Sequence, residues 1–90
     1  MRLAEDRRAR VDTLTVALGK VVARRRRAMG YTWRSLGARC GVAGNTIRNV
    51  ERGARRARVD IMQRIAGGLG MSLSRLMREA ERWQRRGDAE

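Results

Sequence analysis

Residues 41–53 read GVAGNTIRNVERG. Wound as a helix from about Gly44, this stretch places Asn45, Arg48, Asn49 and Arg52 on one face at i, i+3, i+4 and i+7, while Ile47 and Val50 turn the other way. One face is apolar, and the other carries amides and guanidinium groups, the side chains that pair with base edges and phosphates. The same spacing also fits an ordinary amphipathic surface helix, so the residues before it have to decide.

Those residues, TWRSLGARC at 32–40, supply a second helix in front of the first. Thr32 is a suitable N-cap, and Leu36 and Cys40 lie one turn apart where they can share a buried face. Gly41 can take the left-handed conformation that ends a helix cheaply, Val42 can plug the corner, and the next helix begins within three residues. Two short helices joined by so tight a turn make a helix-turn-helix.

With this motif the chain resembles the phage repressor and Cro (XRE-type) family of DNA-binding domains. The resemblance rests on LGKVVARRRRAMGYT at 18–32, SLGARCGVAGNTIRNVERG at 35–53 and IMQRIAGGLGMSLSRL at 61–76. Its most specific piece is the I-x-x-x-E-x-G ending at Gly53. The resemblance implies an all-α, five-helix domain in which helices 2 and 3 form the helix-turn-helix and helix 3 lies in the DNA major groove. It also implies that Arg26 pairs with Glu51. Glu51 is the obvious partner on charge grounds too, being the one acid against twelve basic residues between Thr13 and Val59. Some partner is required in any case, because four consecutive residues, Arg24 to Arg27, point all around a helix and an unpaired buried charge is strongly disfavoured.

The chain departs from the family at several positions. Arg25 stands where an apolar residue is usual. Trp33 replaces the common Gln that holds the DNA backbone; its indole N–H can still reach a phosphate beside Arg34, or the ring can pack against the N-terminal segment. Ala43 lacks a capping side chain, which costs the helix start about 1 kcal/mol and predicts that it firms up on DNA. Gly44 removes the first side chain that would meet a base. Base reading is therefore expected from Asn45, Thr46 and Asn49, with A·T pairs favoured, and Arg48 either reads guanine or takes a phosphate. Arg52, Arg55 and Arg56 flank the groove at the helix end and are expected to contact phosphates, against the plainer reading of a solubilising loop.

Composition supports the same class. Ninety residues make one small domain, and with no Phe and only Tyr31, Trp33 and Trp83 as aromatics its core must be small and aliphatic. Net charge is +13, and Lys20 is the only lysine, so arginine supplies the remaining 21 of the 22 basic residues. A polyanion is the natural partner. There is no His and only one Cys, so neither a zinc site nor a Cys-His pair can be assembled, no cofactor is implied, and Cys40 reads as a small buried apolar residue. Without a membrane-length apolar run or a signal-peptide core, a cytoplasmic product is expected.

Along the chain, residues 1–12 read as a basic arm, either loose without DNA or a helical extension. The domain proper is expected over 13–84. Leu14, Leu18, Val21, Val22 and Met29 mark helix 1 from Asp12 or Thr13 to Gly30, and Gly53 is expected to be a left-handed helix end. Ile61, Met62, Ile65, Ala66 and Leu69 mark helix 4, where adjacent Gly67 and Gly68 suggest fraying or a close helix contact. Ser72 caps helix 5, whose Leu73, Met77, Ala80 and Trp83 are candidates for a dimer interface, the alternative for Trp83 being that it folds back on the domain. Residues 85–90 read as a polar tail.

The function expected from these readings is a sequence-specific transcriptional regulator without enzymatic activity. It would bind a pseudo-palindromic operator as a homodimer and act by occupying a promoter, with recognition helices about 34 Å apart. An antitoxin-like module that sequesters a protein through helix 5 is the alternative. A sequence-independent nucleic-acid coat is a weaker third.

Overall fold

The computed structural model describes residues 2–53 and 58–89, with side chains over 13–53 and 58–86. Five helices follow in order: α1 (Arg2–Ala28), α2 (Trp33–Cys40), α3 (Gly44–Glu51), α4 (Val59–Gly68) and α5 (Leu73–Ala89). Among the described residues there is no strand. The domain is all-α, as its periodicities require.

The expected start of helix 1 at Asp12 or Thr13, behind a basic arm, is corrected: α1 begins at Arg2, so residues 2–12 continue the helix. Likewise α5 carries on past Arg85 to Ala89. From Ala17 onward α1 buries Leu18, Val21 and Val22, and it packs along α5 and across α3. Met29 departs from its expected place in the stripe, lying 42% exposed beyond the end of α1. The largest fully buried side chains are Leu36 of α2, Ile47 of α3, Ile65 of α4, Leu76 of α5 and Val22 of α1. Each helix therefore contributes one anchor to a single aliphatic core. Ala66 and Leu69 of α4 and Ala80 of α5 complete it.

The turn between α2 and α3 forms for local reasons. Thr32 accepts from the Ser35 backbone N–H at 3.0 Å while the Ser35 hydroxyl accepts from the Thr32 N–H at 2.8 Å, so two otherwise orphaned donors are satisfied reciprocally. At the other end Gly41 adopts φ 74°, and the Val42 N–H reaches back to the Gly37 carbonyl at 2.9 Å. Gly53 closes the α3 end with φ 64°. Helix α4 stays regular through its two glycines. A methyl group on Gly68 would overlap the Cys40 thiol, so this glycine serves a close helix contact, whereas Gly67 faces open space. Burial is the main influence on the Cys40 thiol, pushing its pKa up. That suits an unreactive core residue.

Two arginines that could pass for binding groups tie α2 to α4 instead. Arg39 Nε donates to the Gly68 carbonyl at 2.9 Å, and Arg64 donates to the Gly41 carbonyl at 3.2 Å. A third clamp joins α1 to α5, where Arg25 pairs with Glu79 through two hydrogen bonds, one of them from Nε at 3.1 Å. This explains how an arginine occupies a position where an apolar residue is usual. Its hydrogen bond with Arg25 holds the Glu79 carboxyl below the usual glutamate range. A depressed carboxylate contributes stability above its unfolded value, about pH 4.3, and loses it as pH falls through the folded value. Glu79→Gln is therefore expected to cost less than about 1 kcal/mol at neutral pH, because the pair is partly wet. Thermal melts of parent and variant should converge in acid; a gap that persists at pH 2 would remove the charge from this explanation.

Candidate nucleic-acid interface

The outward face of α3 carries the expected reading side chains. Asn45 is exposed and Thr46 and Asn49 are half-buried, while Ile47 and Val50 sit in the core behind them. Among the described residues, none of the three outward side chains hydrogen-bonds to another protein group. Amides left unpaired on a helix face, with their Cβ positions fixed by a packed opposite face, are poised to pair with base edges.

The start of α3 has no side-chain cap at Ala43, yet it is helical from Gly44 because it rests on α2. A Cβ on Gly44 would lie 3.1 Å from both the N and Cα of Arg34. Gly44 thus gives up a base-facing side chain in exchange for a backbone-to-backbone approach of the two helix starts. Arg34 remains exposed on the lip of a shallow depression shared with Asn45 and Arg48. Arg52 is exposed just past the end of α3. Arg55 and Arg56 lie outside the described residues.

Behind this face sits a charged brace. Arg26, 8% exposed, donates to Glu51 from Nε at 2.6 Å and from Nη2 at 3.0 Å, and its Nη1 donates to the Tyr31 carbonyl at 2.9 Å. The structure thus brings Arg26 and Glu51 together as a bidentate pair linking α1 to the end of α3. Trp33 joins the same cluster. Its indole N–H donates to Glu51 at 3.0 Å, and the guanidinium groups of Arg26 and Arg48 lie 5.5 and 5.2 Å from its ring centroid. In the free protein the ring's single donor, expected to reach a phosphate, is thus engaged by Glu51. The ring also locates Arg48: held against the indole, with its Nε enclosed and, among the described residues, without a hydrogen-bond partner.

Part of the dimer surface expected on α5 is also corrected. Ala80 is 0% exposed inside the domain's own core, and Leu73 and Met77 pack on that core with only their edges open. Trp83, 38% exposed, lies beside α1, near Val21 and Arg24. Sequence periodicity could not find Glu79, Arg39 or Gly37, whose roles depend on partners distant in the chain or across the turn. Only Glu79 left a signal, as an acid next to the α5 stripe when Arg25 needed one.

A braced helix-turn-helix with unpaired amides on its second helix defines a DNA-binding domain. The sequence of residues 22–76 matches the helix-turn-helix family model, and the chain belongs to that family, the XRE type, whose members bind DNA and are not enzymes. Two crystal structures of the clp gene regulator ClgR from Corynebacterium glutamicum share its fold. One superimposes with a TM-score of 0.78 at 25% identity, over 84% of this chain and 81% of that one. The other gives 0.68 at 26% identity, over 76% and 88%. A sequence search among curated proteins finds no match. Among the described residues, no helix is long and apolar enough to cross a membrane, and no group of three His, Cys, Asp or Glu side chains is placed to hold a metal.

Proposed function

We propose that the chain is a transcriptional regulator that binds a pseudo-palindromic operator as a homodimer and acts by promoter occupancy. The observation that carries this reading is the set of unpaired polar side chains, Asn45, Thr46 and Asn49, on a helix fixed from behind by Ile47 and Val50. One eight-residue helix can reach only a few base pairs, and a two-fold pair doubles the site read. Arg34 and Arg52, with Arg55 and Arg56, serve as phosphate contacts that set register. Arg48, already stacked on Trp33, reaches the duplex from a fixed origin. The similarity to ClgR, described as a clp gene regulator, supports regulation of genes as the outcome.

The dimer contact is assigned to the open edges of Leu73 and Met77 at the start of α5. The competing module that sequesters a protein through α5 has less support, because Ala80 is interior and Trp83 turns toward α1. Sedimentation of the complex with a selected duplex is expected to give two chains per site. Asn49→Ala is expected to weaken that site by about 1–3 kcal/mol while leaving random DNA almost unaffected. One chain per duplex, or equal losses on both DNAs, would overturn the reading.

A further inference from the structure

A groove of about 460 Å³ runs beside the reading face, between α1, the end of α3 and α5. Lys20, Arg24 and Arg27 form one wall at i, i+4 and i+7 along α1; Arg48 and Arg52 line the end next to α3, and Trp83 the α5 side. The three α1 cations are exposed, and among the described residues none has an ion-pair partner, unlike Arg25 and Arg26 between them. Among the described residues the only carboxylate in the lining is Glu51, already engaged by Arg26 and Trp33. The groove is therefore strongly positive and uncompensated.

Its occupant follows from charge, continuity and length. A second copy of this chain would set like charges against each other around Trp83, which disfavours a self-interface there. Arg48 and Arg52 belong both to the groove and to the α3 face, so a polyanion lying along α3 continues into the groove. Seven residues of helix rise about 10 Å, and one strand of a duplex presents a phosphate about every 3.4 Å of its axis. Three cations spread over that length can meet successive phosphates of one strand. Trp83 adds an apolar wall for deoxyribose.

We propose that this groove is a second DNA contact, holding the phosphate backbone of duplex that flanks the base pairs facing α3. It rests on the DNA-binding reading above and extends the footprint through α1. The test is fluorescence anisotropy with a 30-base-pair duplex of arbitrary sequence over a salt series. It uses the full chain, the triple variant Lys20→Gln, Arg24→Gln, Arg27→Gln, and an equal-charge control on the outer side of α5, Arg75→Gln, Arg78→Gln, Arg85→Gln.

The groove variant is expected to lower the slope of log affinity against log salt by about 2 to 3, and the control by less than about 1. Equal slopes in parent and groove variant, or equal losses in both triples, would overturn the inference while leaving DNA binding intact. A parent that fails to bind duplex even at low salt would overturn the functional reading and this inference together. All six positions are exposed, so matching thermal melts certify that both triples are folded.

Discussion

Glu51→Ala is expected to destabilise the domain by about 3–5 kcal/mol and lower its melting temperature by more than about 10 °C. The Glu51 carboxylate is 7% exposed and accepts two hydrogen bonds from Arg26 and one from Trp33. Its removal leaves the guanidinium of Arg26 buried with the Tyr31 carbonyl as its one remaining hydrogen-bond acceptor among the described residues, and a buried charge without its counter-charge costs far more than a lost surface pair. For a domain of this size that is a large share of the total stability. Glu51→Gln keeps an acceptor for the indole without the charge, so it should fall between parent and alanine variant. Thermal unfolding followed by far-UV circular dichroism measures all three. An alanine variant melting within about 4 °C of the parent would take the brace out of the account.

Gly37→Ala should be comparably damaging, against the direction that helix propensity gives. Alanine in place of a helical glycine ordinarily gains about 1 kcal/mol. Here the new Cβ would lie 2.6 Å from the Val42 carbonyl oxygen and 2.9 Å from the Gly44 N. Both atoms are backbone and belong to the turn that sets the angle between α2 and α3, so neither can yield as a flexible side chain would. A loss of about 2–4 kcal/mol is expected, together with weaker duplex binding as α3 is pushed off α2. Denaturant midpoints and a duplex titration report the two effects separately. A variant more stable than the parent would mean that the turn is softer than its packing suggests.

These two glycine and glutamate positions mark where sequence reading reaches and where it stops. The helix-turn-helix was legible because its determinants are local: the Thr32 cap, the left-handed Gly41, and Leu36, Cys40, Ile47 and Val50 at helical spacing. Gly37 left no such trace, because its tolerance is set by a carbonyl five residues on across a turn. Arg25 and Glu79 are 54 residues apart, and no periodicity reports a pairing at that range. On α5 an apolar stripe cannot tell a domain's own core from a partner's. Ala80, expected at an interface, is small enough to sit within the core, while bulky Trp83 is left at the edge.

Charge counting was the other limit. Of the twelve basic residues between Thr13 and Val59, Arg25, Arg26 and Arg39 are spent on tying helices together, and Arg58 faces Asp60 at 3.1 Å. The net charge pointed to a polyanion, but only the structure separates arginines that brace the fold from those left open. Lys20, Arg24 and Arg27 emerge as a group only by that separation.

Whether α3 reads bases in a two-fold operator is decided by selecting bound duplexes from a random pool at physiological salt and sequencing them. An inverted repeat with half-sites about one helical turn apart is expected, and Asn49→Ala should abolish its enrichment. A pool that returns with no enriched motif, bound equally well by parent and variant, would contradict base reading by α3.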